Sequence, residues 1–109
     1  MASETQLMKG IFEGCILCLI AQEPGHGYRV VERMRALGFT GVAEATIYPI
    51  LTRLEKRGDL KHSKQKSPSG PPRKVYALTA AGKTALSQFG ESWRNVSAIV
   101  SDVLQGGEE

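Results

Sequence analysis

Thr46-Ile-Tyr-Pro-Ile-Leu-Thr-Arg-Leu-Glu-Lys-Arg-Gly58 is the stretch on which the reading of this 109-residue chain turns. Ile47, Ile50, Leu51 and Leu54 recur at helical spacing and define one apolar side, while Tyr48, Thr52, Arg53, Lys56 and Arg57 fall on flanks that need not be buried. Proline lacks an N–H and fits the first turn of a helix, so Pro49 predicts a start near Ala45 or Thr46. Gly58 predicts a left-handed cap at the other end. A short helix with one packing face and one basic, hydroxyl-bearing face suits a major groove of DNA, where cations reach phosphates and Thr or Tyr reaches edges or backbone. Solvated Lys/Arg faces are also common on helices that bind nothing. The neighbouring sequence has to decide.

After Gly58 the period changes from 3.6 to 2. Leu60-Lys-His-Ser-Lys-Gln-Lys66 alternates, Ser67 to Pro72 reads as a proline-rich turn, and Arg73-Lys-Val-Tyr-Ala-Leu78 alternates again. A hairpin directly after a reader helix, with Lys64, Lys66, Arg73 and Lys74 around its tip, has the layout of a wing that approaches the sugar-phosphate backbone or minor groove. The bland reading is an edge strand protected by lysines. Formal charge is +3, and the distribution is uneven: from Arg53 to Lys74 there are eight basic residues against two acidic ones, +6, which leaves −3 elsewhere. Such asymmetry points to a polyanionic partner met through one region.

Upstream, Leu7, Met8, Ile11, Phe12, Cys15, Ile16, Leu19 and Ile20 predict a helix over about residues 6 to 21, with more apolar surface than a small domain requires. Cys15-Ile-Leu-Cys18 lies inside it without a second ligand pair, so two core cysteines are expected rather than a metal site. Glu23-Pro-Gly-His-Gly27 is a break. Tyr28, Val31, Met34 and Leu37, with Val30 alongside, describe a second helix carrying Arg29, Arg33 and Arg35 outward, with His26 at its start as a cap or phosphate neighbour. Gly38 to Gly41 is a turn, anchored by Phe39 and Val42. Helix, helix, turn, helix is the order of a helix-turn-helix.

Downstream, Thr79 reads as an N-cap of a helix from about Ala80 to Leu104. Leu86, Phe89, Trp93, Val96, Val100 and Val103 form a heptad seam, with Ile99 and Leu104 beside it. That seam predicts a second subunit, with helix 6–21 as co-partner. Gly90 leaves a recess near Trp93, which is either a packed interface residue or one wall of a pocket for flat ligands. The expected class is α+β, mainly α: a winged helix-turn-helix over residues 1–78 and a dimerisation helix over 79–109. The N-terminus lacks the basic start of a signal peptide, and the apolar run from Ile11 to Ala21 is too short to span a bilayer, so a cytoplasmic protein without a membrane role is expected.

Cys15-Ile-Leu-Cys-Leu-Ile20, His26-Gly-Tyr28, Ala45-Thr-Ile-Tyr-Pro-Ile-Leu51, Arg53-Leu-Glu-Lys-Arg-Gly58, Pro72-Arg-Lys-Val-Tyr76 and Leu78-Thr-Ala-Ala-Gly82 together resemble the PadR family of bacterial transcriptional regulators. The single short C-terminal helix is similar to the branch that includes multidrug-binding repressors. The resemblance implies a homodimer on inverted-repeat promoter DNA, released by a small aromatic or drug-like effector, with no cofactor. It gives Thr46, Tyr48, Thr52 and Arg53 reader roles and Arg73 and Lys74 the base of the wing, while Tyr28 helps position the motif. It also implies that Phe89 and Trp93 line a flat channel faced by Met8 and Cys15. The chain departs from the common family pattern at Ala43-Glu44-Ala45. Rival readings are a winged-helix module for an acidic protein partner and a thiol- or metal-responsive regulator using Cys15 and Cys18. No nucleophile–base pair can be assembled from two His and two Cys at these spacings, so no catalytic site is expected.

Overall fold

The computed structural model describes Met8, residues 11–39 and residues 41–108; the expected helix start near residue 6, with Leu7, and Thr40 of the expected turn lie outside them. In chain order the elements are α1 (Phe12–Gln22), α2 (Gly27–Ala36), α3 (Glu44–Arg57), β1 (Leu60–Ser67), β2 (Gly70–Leu78) and α4 (Ala80–Glu108). This is a mainly helical winged helix-turn-helix. Ile16 and Ile20 of α1, Val30, Val31 and Met34 of α2, and Ile47, Leu51 and Leu54 of α3 are fully buried against one another, and Leu60 and Tyr76 close the core from the hairpin. Each such side chain contributes about 1.5–3 kcal/mol by leaving water. The 3.6-residue spacing of these positions makes the three helices converge.

α2 and α3 end in the same way. The Gly38 and Phe39 amides donate to the Arg35 and Met34 carbonyls, and the Gly58 and Asp59 amides donate to those of Glu55 and Leu54, with Gly38 and Gly58 left-handed at φ 107° and 92°. These are Schellman caps, which satisfy carbonyls the helix end would orphan. The first cap also corrects an expectation: Leu37 is 67% exposed, because the reversal at Gly38 sends Phe39 toward the core in its place. Arg33 and Arg35 do not simply point outward either. Arg33 donates to the Leu19 carbonyl at 2.6 Å and to Gln22, capping α1, and Arg35 donates to the Val42 carbonyl at 2.9 Å.

α3 starts at Glu44, earlier than Pro49 suggested. The Thr46 and Ile47 amides donate to the Ala43 carbonyl, and Glu44 places an acid in the positive first turn. Pro49 therefore lies in the second turn, where its missing N–H would have met the Ala45 carbonyl. Both residues are on the exposed face, where water can replace the lost donor.

The hairpin is longer than expected and its turn shorter: only Pro68 and Ser69 separate the strands, so Gly70, Pro71 and Pro72 belong to β2. Pairing runs antiparallel from Leu60↔Leu78 to Gln65↔Arg73 and resumes at Ser67↔Gly70. Between those pairs β1 has Lys66 alone and β2 has Pro71 and Pro72, a bulge that accommodates two residues without N–H donors. The segment between α1 and α2 contributes a third line of pairing, since Gly25 and Tyr76 exchange both backbone hydrogen bonds. Thr79 caps α4 as expected: its hydroxyl accepts from the Gly82 amide at 3.0 Å and donates to the Gly58 carbonyl at 2.6 Å.

The first turns of α4 pack on the same core through Ala85 and Leu86, and the Phe89 ring lies so close to Gly14 that a Cβ there would overlap it. α1 thus meets α4 of its own chain. From Trp93 onward α4 leaves the body. Trp93 is 47% exposed and Val96, Ile99, Val100, Val103 and Leu104 are at least as open. The helix runs to Glu108 through Gly106 and Gly107, beyond the expected end at Leu104. Its 29 residues span about 43 Å at 1.5 Å per residue, most of the molecule's 58 Å long axis.

Candidate nucleic-acid interface and the adjoining cavity

α3 presents three sides. Ile47, Ile50, Leu51 and Leu54 face the core, so helical geometry puts Ala45, Pro49, Thr52 and Lys56 outward, and all four are exposed. Glu44 and Tyr48 face α2 and the wing; Arg53 and Arg57 face α1. Thr46 is half-buried, and the Thr52 hydroxyl donates to the Tyr48 carbonyl at 3.1 Å.

Between α3 and the wing lies an open crevice of about 440 Å³, lined by His26, Gly27 and Tyr28 at the start of α2, Glu44, Tyr48 and Thr52 of α3, and Arg73, Lys74 and Tyr76 of β2. His26 caps α2: its Nδ1 accepts from the Arg29 amide at 3.2 Å, and its Nε2 lies 3.4 Å from the Arg73 guanidinium. The Tyr48 ring packs on Gly27, where a Cβ would come within 2.5 Å of it. Burial and the Glu44 charge push the Tyr48 phenol above its usual pKa, against the opposing pull of the Tyr28 amide and Arg73. Tyr48 is therefore neutral and braced against α2 as well as exposed. Burial, with the Glu55 charge, likewise raises the Tyr76 phenol at the crevice floor.

The cations divide into two sets. Arg53 and Arg57 both pair with Glu13 of α1, at 2.7 and 3.2 Å, and Arg57 also pairs with the buried Asp59 at 2.8 Å. Lys56, Lys61, Lys64, Lys66, Arg73 and Lys74 have no carboxylate within 4.0 Å among the described residues. Lys64 and Lys74 are register partners, directly opposite across the hairpin. Like charges so placed repel, and an anion between them would relieve the repulsion. Glu55 of α3 pairs with His62 of β1, tying the root of the wing to α3.

On the other side of α1, Met8, Ile11, Cys15, Cys18, Phe39, Leu86, Phe89, Gly90 and Trp93 line an almost wholly apolar cavity of about 480 Å³. All four residues expected at an aromatic site, Met8, Cys15, Phe89 and Trp93, meet here. Both cysteines are half-buried free thiols lining this cavity, and Cys15 also packs against the core. Burial, with Cys18 nearby, pushes the Cys15 thiol up and makes it a poorer nucleophile. No group of three metal-ligating side chains occurs among the described residues.

Sequence reasoning missed Glu13, His62 and Tyr76, and marked Glu44 only as a departure from the common family pattern. The roles of Glu13, His62 and Tyr76 depend on partners 40, 7 and 51 positions away (Glu13 with Arg53, His62 with Glu55, Tyr76 with Gly25) and no local pattern announces them. His26 carried a signal in the break before α2.

Residues 16–88 match the model of the PadR-like family of transcriptional regulators. The chain belongs to that family. The transcriptional regulator Rv3488 of Mycobacterium tuberculosis is 35% identical over 91 residues, 84% of this chain and 80% of that protein. A crystal structure of a PadR-like transcriptional regulator from Bacillus cereus superposes with a TM-score of 0.83 at 41% identity, covering 92% of this chain and 97% of that one. A Streptococcus transcriptional regulator gives 0.80 at 38% identity, over 90% and 96% of the two chains. This PadR-like protein is accordingly a DNA-binding transcriptional regulator, in a family of regulators rather than enzymes. Among the described residues no helix is long and apolar enough to cross a membrane.

Proposed function

We propose that this PadR-like regulator is a homodimeric repressor that places two α3 helices in successive major grooves about 34 Å apart on an inverted repeat. Thr52, Lys56 and the edge of Tyr48 face the groove, with Thr46 and Tyr28 supporting the helix. Lys64, Lys66, Arg73 and Lys74 of the wing take the flanking phosphates, and Arg53 and Arg57 can join them. The observation that carries dimerisation is the open apolar face of α4, Trp93 through Leu104, which costs solubility unless another helix covers it. That face runs directly into the apolar cavity. A small flat aromatic compound fits a 480 Å³ space with Trp93 and Phe89 as walls. It would release DNA only by favouring a spacing of the two reader helices that the operator does not accept.

The test is fluorescence anisotropy of the purified protein on duplex DNA from upstream of its own gene, at two salt concentrations and with scrambled competitor. Competitor-resistant, salt-sensitive binding by a dimer is expected. Weak binding that scrambled DNA displaces equally would refute an operator at that locus and favour an acidic protein as the partner of the wing.

A further inference from the structure

Glu13 stands on α1 and faces the reader helix. Its Oε1 accepts from Arg53 Nε at 2.8 Å and lies 2.7 Å from Arg53 Nη2, and its Oε2 accepts from Arg57 Nη1 at 3.2 Å. One carboxylate thus occupies the same donor forks that a phosphate would occupy. Burial pushes the Glu13 carboxyl up, but hydrogen bonds and charge from the two arginines outweigh it and hold the group below the usual carboxylate range. Glu13 is ionised at neutral pH. It is not needed to seat α1, which Phe12, Ile16 and Ile20 already bury in the core.

We propose that Glu13 is a specificity-determining residue for DNA binding: an internal carboxylate that competes with phosphate for Arg53 and Arg57 and so weakens binding to DNA that does not seat the reader helix. Both arginines are about half exposed, 56% and 47% by side chain, and exposed ion pairs are weakly held and exchangeable. On non-operator DNA the helix sits loosely, and each arginine gains little by leaving Glu13. On an operator, base-edge contacts fix the helix, phosphates stand within reach, and the exchange becomes local. Non-specific affinity comes from counterion release, so holding two cations back lowers it most. Asp59 holds the second edge of Arg57 in the same way, which leaves Arg53 the more readily exchanged. The proposal rests on DNA binding alone, not on dimer geometry or an effector.

The experiment compares wild type with Glu13→Gln on a scrambled duplex and on the upstream duplex, by anisotropy across a salt series. Glu13→Gln is expected to bind scrambled DNA several-fold tighter, with a slope steeper by about 0.9 for each further phosphate neutralised. The ratio of upstream to scrambled affinity should fall. In an Arg53→Ala/Arg57→Ala background the same change should do nothing, which separates competition for these arginines from a general loss of negative charge. An unchanged slope on scrambled DNA, or an equal rise in affinity in the double-alanine background, would overturn the proposal. Arg53→Gln in otherwise wild-type protein gives an independent reading: it should barely alter the scrambled-DNA slope, and a slope shallower by a whole phosphate would count against Glu13 holding this arginine. Failure of the upstream duplex to bind specifically leaves the scrambled-DNA arm intact, so that outcome bears on the operator and not on Glu13.

Discussion

Gly27 has no space for a side chain, because the Tyr48 ring lies where its Cβ would go. Gly27→Ala must push Tyr48 off α2, an overpacking that costs about 1–3 kcal/mol. Chemical denaturation should show that loss, and DNA affinity should fall with it if α3 reads the DNA, since α3 leans on this contact. Glu13 makes a different kind of prediction. Its folded pKa is depressed, so its ion pairs add stability above its unfolded pKa of about 4.3 and lose it as pH falls through the folded value. The melting-temperature gap between wild type and Glu13→Gln should be constant from neutral pH down to the carboxylate range, and close below it. At this scale the sequence was only partly legible. Arg53 and Arg57 were visible as helix cations, but their pairing with Glu13 depends on α1 crossing α3. Leu37 fitted the apolar spacing of α2 and yet lies outside, because one left-handed glycine after it redirects the chain.

The helices could be read from spacing, since Ile47, Ile50, Leu51 and Leu54 really do form the buried side of α3. Pro49 misled the start because proline rules concern the N–H it lacks, and an exposed helix face can supply water instead. The wing was legible as a hairpin and misjudged at its tip: prolines 71 and 72 suggest a loop, and a bulge lets them remain in a strand. The pairing of Gly25 with Tyr76 carried no signal, being a single isolated residue pair. Two outcomes belong to elements. Thr79→Ala removes the cap of α4 and its bond to Gly58, and should cost about 1 kcal/mol by thermal or urea unfolding. Arg73→Ala combined with Lys74→Ala should flatten the salt dependence of DNA binding by up to about 1.8 in slope, about 0.9 per phosphate, with little change in melting temperature.

The whole molecule is a compact body with an apolar arm. The heptad seam of α4 was readable from its 3–4 spacing, but the division at residues 78 and 79 hides the fact that the first turns of the helix belong to the body, through Leu86 and Phe89. Val100→Glu changes only the exposed part of the arm. If that face joins two copies, light scattering should report half the wild-type mass, and DNA affinity should collapse, because each half-site alone is weak. Unchanged mass would move the interface elsewhere. The paired backbones of Gly25 and Tyr76 have a mechanical meaning of their own. They clamp the wing at its root, while the bulge at Lys66, Pro71 and Pro72 interrupts the ladder near its tip. The wing is a stiff stem with a wrist. The stem turns only with α2, and the wrist can swing to follow grooves of different width. In hydrogen exchange, the Gly25 and Tyr76 amides should keep pace with the slow core, whereas Lys66 should exchange like open chain.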